Sequence, residues 1–144
     1  ADVIASERAD GRRVVCSDER AVAFVPACAR YAYEVWVAPV RPAPSFDALT
    51  DDEVASFAAT LKRTLQKLDA LWSRPMPYVM VFHQAPTDGL AHPEAHLHAE
   101  IYPYLRMPDR LKYLAGSEIG AGVFTADTIP EEKAAELRDA EVTP

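Results

Sequence analysis

Short apolar runs interrupted by polar turns fill the first third of the chain, a pattern typical of β-strands. Residues 13–16 and 21–25 are two such runs, separated by a four-residue polar turn of hairpin length. A third run at 31–38 is rich in aromatic and β-branched residues and ends at Pro39. The pattern predicts three strands, and the opening residues are predicted to lead into the first of them.

The clearest single element is a long amphipathic helix. Thr50 to Glu53 form a capping box, with acidic residues in the first turn where the helix dipole favours them. An apolar stripe then recurs at steps of three and four residues, which predicts one helix with a buried face and with Lys67 off that face. Pro75 ends the helix near Arg74. The stripe consists of Val54, Phe57, Leu61, Leu65, Leu68 and Trp72.

The second half of the chain returns to strand patterns and ends in a helix. Residues 78–84 and 95–105 are predicted strands, and 111–125 are predicted to hold one or two more. A second capping box at Thr128 to Glu131 predicts a short helix through Asp139. The expected fold is α+β: one antiparallel sheet with a long helix packed across it and a short C-terminal helix, forming a single domain over 1–144.

Composition narrows the functional classes. With 144 residues, 49% of them hydrophobic and 26% charged, the chain is that of an ordinary globular domain. Its net charge of −7 argues against general binding of nucleic acid or anionic membranes. It has no apolar run near the ~20 residues of a membrane helix. Cys16 and Cys28 lack the spacing of a zinc knuckle, so we expect reduced thiols in a cytosolic protein.

Three of the four histidines fall within residues 92–98. Side chains alternate along a strand, so His96, His98 and Glu100 should share one face while the apolar residues between them face the helix. Such a row of imidazoles and a carboxylate can ligate a divalent metal or hold a phosphate. His83 becomes a fourth member if its strand pairs with this one.

A group of cations follows the histidine strand. Arg106, Arg110 and Lys112, together with three glycines within 116–122, could bind phosphate, although a solvated basic edge gives the same pattern. The glycines do not form a P-loop or a dinucleotide fingerprint. Glu34 is a lone carboxylate in an aromatic run and could be structural or part of a site.

Four motifs in order resemble the second domain of the galactose-1-phosphate uridylyltransferase family, within the histidine-triad superfamily. The similarity runs from about Val14 to Arg138, and Thr128 to Arg138 look like the family's closing helix. The resemblance implies a histidine-triad-like antiparallel sheet. The motifs are Tyr33–Pro39, Val81–Pro86, His96–Pro103 and Lys112–Glu118.

The resemblance implies transfer of a uridylyl group between UDP-glucose and galactose 1-phosphate in the cytoplasm. The family's nucleophilic histidine lies in the first domain, and His92-Pro93 here is followed by Glu94, so no catalytic residue is assigned in this chain. Expected partners are a UDP-hexose, a hexose 1-phosphate, the N-terminal half of the enzyme and a second copy in a homodimer.

The resemblance also implies roles for particular residues. His83 and His98 match positions that bind iron in the family, and Glu100 matches a further ligand position; together with His96 they are the predicted ligands for iron or zinc. Lys112 and Glu118 match contacts to the hexose phosphate across a dimer interface.

Phe124 stands where many members of the family have a glutamine that contacts the sugar, and this departs from the family pattern. Three other interpretations of the sequence stay open. They are a non-catalytic nucleotide- or metal-binding domain, a nucleotidyl transferase acting on dinucleoside polyphosphates, and a cupin-type oxygenase. The oxygenase is disfavoured because no histidine follows His98.

Overall fold

The computed structural model of the chain describes residues 2–142, which form four α-helices, a short 3-10 helix and seven strands. The helices are Asp2–Asp10 (α1), Asp51–Ala70 (α2), Gly116–Ala121 (α3) and Pro130–Asp139 (α4), and the 3-10 helix is Phe46–Ala48. The strands are Val14–Ser17 (β1), Ala21–Phe24 (β2), Val35–Pro39 (β3), Tyr78–His83 (β4), His98–Pro103 (β5), Leu105–Met107 (β6) and Arg110–Leu111 (β7).

Five of the strands build one antiparallel sheet in the order β1-β2-β3-β5-β4, and β6 pairs with β7 in a separate two-stranded sheet. The β1–β2 hairpin forms at the predicted polar turn. There, one oxygen of Asp18 accepts the backbone N–H groups of Arg20 and Ala21, both at 2.8 Å. The predicted α+β architecture is confirmed.

Helix α2 packs across one face of the five-stranded sheet. The predicted capping box is present, since the Thr50 hydroxyl accepts the Glu53 N–H and the Glu53 carboxylate accepts the Thr50 N–H. Phe57 and Leu68 are buried against strand residues in the main core, where burial of apolar side chains stabilises the fold. Val54 was expected on this face and is 45% exposed, because the buried stripe begins one residue earlier, at Glu53.

Lys67 is buried on α2, contrary to its predicted position off the packed face. Its ammonium donates to the carbonyls of Leu137, Arg138 and Ala140, at 3.1, 2.8 and 3.1 Å. These carbonyls lie at the C-terminal end of α4, where backbone acceptors have no partner within the helix. Burial lowers the pKa of Lys67. The lysine therefore joins the two helices as a capping group.

Several sequence-based boundaries are wrong. The opening residues form helix α1 instead of leading into a strand, and residues 31–34 are a turn before β3. Residues 95–97 precede β5 without pairing, and the predicted strands over 111–125 are replaced by the end of β7 and helix α3.

Helix α4 is confirmed, but its capping box is not. Its N-cap residue is Ile129, with no side-chain hydrogen bond and with Pro130 in the first turn. Among residues 2–142, no helix is long and apolar enough to cross a membrane.

Candidate functional site

His83 and His98 form the centre of the candidate site. They are directly opposite each other in the β4–β5 register, and their rings stack with centroids 4.9 Å apart at 18°. Glu100 lies two residues beyond His98, on the same face of β5. One ligand atom from each of the three residues lies within 4.8 Å of the others. The intervening Ala99 and Ile101 are fully buried in the core, so the predicted alternation is confirmed along β5.

The hydrogen bonds of His98 suit a metal ligand. Its Nδ1 bonds to the carbonyl of His96 at 2.7 Å, and because a carbonyl can only accept, Nδ1 carries the proton. In the neutral ring the Nε2 lone pair then faces a Glu100 oxygen at 3.3 Å, while His83 Nε2 is 3.5 Å from the other oxygen. A backbone carbonyl that fixes the tautomer is the usual support for a ligating histidine. Two imidazoles and a carboxylate fit a divalent transition metal.

His96 is not brought into this group of ligand atoms. It lies before β5, and its Nε2 donates to the carbonyl of Pro39 at 2.9 Å. Burial lowers the pKa of His96, and its Nδ1 is buried without a hydrogen-bond partner. His96 and His98 both line a cavity of about 170 Å³ with Trp36, on the face of the sheet away from α2. His96 contributes to the site through its backbone carbonyl, which accepts the hydrogen bond from His98.

His92 is also separate from the group. Its two ring nitrogens contact the carboxylates of Asp88, at 3.0 Å, and Glu94, at 3.3 Å, within an exposed loop. These two partners, Asp88 first, raise the pKa of His92. The imidazole therefore holds the turn of the β4–β5 loop.

Arg30 also contacts the group, through Glu100, and the sequence did not single it out. Its Nη2 lies 2.9 Å from an oxygen of Glu100, 2.5 Å from the hydroxyl of Tyr102 and 3.5 Å from an oxygen of Glu34. The guanidinium thus sits between two carboxylates. Its spacing of four residues from Glu34 is the only sequence signal that could have pointed to it.

Glu34, whose role the sequence left open, is completely buried and bonded. Its carboxylate accepts the backbone N–H groups of Arg30 and Tyr31, at 2.6 and 3.3 Å, and the indole N–H of Trp36 at 2.9 Å. The Trp36 ring lies against that of His98, with centroids 5.3 Å apart and the two planes tilted by 33°. Glu34 is therefore a structural support placed directly behind the histidine pair.

Lys112 and Glu118 contact each other at 2.8 Å. The Lys112 ammonium also donates to the carbonyls of Arg30, at 2.6 Å, and Thr125, at 3.2 Å, so all three of its donors are used. Glu118 is buried and accepts the N–H of Ala115 at 2.6 Å. Lys112 first, and then the backbone N–H of Ala115, lower the pKa of Glu118 to about 2. The pair holds the segment around α3 together.

Aromatic rings surround this ion pair. Lys112 Nζ is 5.4 Å from the centre of the Tyr31 ring and 5.8 Å from that of Phe124. Tyr31 and Phe124 also line a cavity of about 200 Å³ with Arg30, Tyr102 and two further residues. An apolar and aromatic cavity beside a few charged groups is the usual form of a small-molecule site.

Comparison with known proteins assigns the family. Residues 1–143 match the family model described as galactose-1-phosphate uridyl transferase, C-terminal domain. The chain belongs to this family. The match confirms the resemblance drawn from the four sequence motifs.

The relatives of this uridyl transferase C-terminal domain are longer than the chain itself. It is 37% identical over 132 residues to the galactose-1-phosphate uridylyltransferase of Thermotoga maritima, covering 90% of this chain and 41% of the relative. A solved structure of a uridylyltransferase superposes with a TM-score of 0.88 at 42% identity, covering 96% of this chain and 43% of that one. The chain thus spans less than half the length of these relatives.

The histidine-triad-like fold is confirmed by a more distant neighbour of the uridyl transferase domain. A histidine triad nucleotide-binding protein from Sulfolobus tokodaii superposes with a TM-score of 0.66 at 16% identity, covering 95% of this chain and 89% of that one. At this identity the likeness concerns the fold alone.

The cations predicted as a cluster have separate partners in this uridyl transferase domain. Arg106 pairs with Asp127 at 2.7 Å, Lys112 pairs with Glu118, and Arg110 is exposed on β7. Two of the three positive charges are therefore neutralised by neighbouring carboxylates, which leaves no concentrated basic patch among these three residues.

Proposed function

We propose that this chain is the second domain, over residues 1–144, of a UDP-glucose–hexose-1-phosphate uridylyltransferase. The whole enzyme would transfer the uridylyl group between UDP-glucose and galactose 1-phosphate, with its nucleophilic histidine on a first domain. The observation that carries the proposal is the match of nearly the whole chain to the C-terminal domain family, in which a relative of that name is more than twice as long. We place the enzyme in the cytoplasm, and the free thiols of Cys16 and Cys28 support this.

His83, His98 and Glu100 are the proposed metal ligands, and iron or zinc is the proposed metal. Their support is the convergence of two imidazole nitrogens and a carboxylate, with the His98 tautomer fixed by a carbonyl. His96, which the sequence pattern also placed in the ligand set, supplies its carbonyl in this proposal and not its ring. The bound metal would tie β4 to β5 and supply a fixed positive charge. A further ligand would come from the first domain.

Lys112 and Glu118 are the proposed contacts to the hexose phosphate, donated across the interface of a homodimer. The aromatic cavity beside Lys112 supports this placement. Because all three Lys112 donors have partners in the chain, phosphate binding requires one carbonyl to be released. A phosphate oxygen carries negative charge and a carbonyl oxygen does not, so the Lys112 ammonium is attracted more strongly to the phosphate. Phe124 stands where many members of the family have a glutamine, so in this proposal it contacts the sugar through an apolar ring and not through amide hydrogen bonds.

Reconstitution tests this function. The chain is mixed with the first domain of a uridylyltransferase, supplied with UDP-glucose and galactose 1-phosphate, and UDP-galactose is measured. Turnover is expected with the wild-type chain, and Lys112→Ala or Glu118→Gln should reduce it, while Lys62→Ala on the exposed face of α2 should not. Unchanged turnover in the first two variants would remove the proposed sugar-phosphate contacts.

The fully paired state of Lys112 and Glu118 favours one alternative, a non-catalytic nucleotide- or metal-binding domain. Such a domain would bind a nucleotide or a divalent metal yet form no UDP-galactose with any first domain supplied. The reconstitution experiment separates the two functions directly.

A further inference from the structure

Arg30 lies between the two candidate sites and contacts both. Its guanidinium donates to Glu100 at 2.9 Å, and its backbone carbonyl accepts the Lys112 ammonium at 2.6 Å. The proposed metal site and the proposed sugar-phosphate contact are therefore one residue apart. Its side chain is 37% exposed and also lines the aromatic cavity beside Lys112.

Besides Glu100, three further contacts hold the guanidinium. The hydroxyl of Tyr102 bonds Nη2, the buried carboxylate of Glu34 lies 3.5 Å away, and the Tyr102 ring centre lies 4.8 Å from Cζ. The Glu34 carboxylate also accepts the backbone N–H of Arg30. Both the side chain and the backbone of Arg30 thus contact one buried anion, and the carbonyl that accepts the Lys112 ammonium belongs to the same residue.

Glu100 can accept from Arg30 and bind a cation at the same time. A carboxylate has about four acceptor positions, and Arg30 occupies one of them on the oxygen nearer His83. The remaining positions face the two imidazoles. Carboxylates that bind metals are normally held by such an outer hydrogen bond.

We propose that Arg30 is a positioning residue that orients Glu100 for the divalent cation and transmits cation binding to Lys112 through its own carbonyl. The inference rests on the metal part of the proposed function. The positive charge of Arg30 repels the cation, so any gain in cation affinity must come from the orientation that Arg30 gives to Glu100. Lysine in place of Arg30 keeps the charge but is shorter and loses the planar guanidinium, which lies 4.8 Å from the centre of the Tyr102 ring while its Nη2 contacts Glu100.

The test measures Co²⁺ affinity of the 144-residue chain from the cobalt absorption bands, together with the ¹³Cε signal of Lys112. Arg30→Lys and Arg30→Gln should each weaken Co²⁺ binding about tenfold, the lower range for loss of an outer-shell partner. For the ¹³Cε measurement, Zn²⁺ replaces Co²⁺. Zn²⁺ binding should shift the Lys112 signal in the wild type and not in Arg30→Lys. Arg20→Gln, which removes an exposed arginine paired with Asp52, is the matched control and should change neither quantity.

Two results would overturn the inference. One is wild-type Co²⁺ affinity in Arg30→Lys, especially with tighter binding in Arg30→Gln, because Arg30 would then act through charge alone. The other is a Lys112 signal that does not shift when Zn²⁺ binds to the wild type, or that is the same in the metal-free wild type and metal-free Arg30→Lys. Lys112 Nζ lies 5.4 Å from the centre of the Tyr31 ring, whose ring current reports any displacement.

The remaining outcomes also decide the question. A wild-type chain that binds no Co²⁺ refutes the metal part of the proposed function, and the metal-free Lys112 comparison still decides whether Arg30 positions Lys112. If the Arg30 variants do not fold, Tyr102→Phe removes one hydrogen bond to the guanidinium and keeps every charge. It should weaken Co²⁺ binding in the same direction by a smaller factor, and unchanged binding would overturn the proposal.

Discussion

His83 and His98 are direct cross-strand partners, and their parallel rings stack at the edge of the sheet with centroids 4.9 Å apart. Paired side chains on adjacent antiparallel strands are held at short distances by the backbone register. The two imidazoles are therefore placed by the β4–β5 ladder itself, and Glu100 follows on the same face. The candidate metal site needs no loop movement to assemble these three residues.

Removing His98 should remove the metal. His98→Ala deletes one of two imidazole ligands, so we expect the divalent metal retained after dialysis to fall by at least about tenfold. His96→Ala should retain wild-type metal content, because its ring bonds Pro39 and only its backbone carbonyl supports His98. Elemental analysis of the purified variants measures both. Loss of metal in His96→Ala with retention in His98→Ala would reverse the ligand assignment.

Strand alternation was sufficient to place His98 and Glu100 together, because both lie within the paired part of β5. It could not show that pairing starts only at His98, which leaves His96 outside the ladder and bonded to Pro39. Arg30 could not be found from local sequence at all. It reaches Glu100 only because the turn at 31–34 brings the start of β3 beside β5, a contact across 70 positions of the chain.

The Lys112–Glu118 pair should make stability depend on pH in the acid range. The native pKa of Glu118 is about 2, compared with an ordinary value of 4.5. Between these values the unfolded chain binds more protons than the native one, so stability falls as pH drops from 4.5 towards 2. Glu118→Gln should be less stable than wild type at pH 7, and this difference should shrink towards pH 2.

Urea unfolding at pH 7, 4.5, 3 and 2 measures that difference. Glu19→Gln, at an exposed carboxylate whose nearest cation is 3.9 Å away, is the control and should show no such convergence. A stability difference between wild type and Glu118→Gln that stays constant over this range would contradict the assigned pairing.

The helices show where periodicity succeeds and where it fails. Helix α2 has a long apolar stripe and a capping box, so two local signals agree with its packing. Helix α1 is mostly polar, with Ile4 and Glu7 its buried residues, and it is held by Arg13, which bonds both Glu7 and Glu131. Helix α3 has only six residues and depends on the contacts of Glu118. Stabilisation by distant partners leaves no periodic pattern to detect.

Lys67 should contribute to stability through α4. Lys67→Met keeps a similar length and leaves the carbonyls of Leu137, Arg138 and Ala140 without their donor. Loss of partners for buried polar groups costs about 1–3 kcal/mol, so we expect a decrease of that size in the free energy of unfolding. Lys62→Met, on the exposed face of α2, should change it by less than about 0.5 kcal/mol. Equal effects of the two substitutions in urea unfolding would show that the capping contact is not important.

The packing of α2 on the sheet should contribute more to the free energy of unfolding than any of the other contacts tested. Leu68 is almost fully buried in the main core, and Leu68→Ala would leave a cavity between helix and sheet. Such substitutions cost about 2–5 kcal/mol, because apolar contact is lost and the surroundings relax only partly. Leu90→Ala, at a loop leucine that is 72% exposed, is the control and should change stability by less than about 0.5 kcal/mol. Urea unfolding of both variants measures the difference, and a cost below about 1 kcal/mol for Leu68→Ala would mean that α2 does not pack against the sheet through this residue.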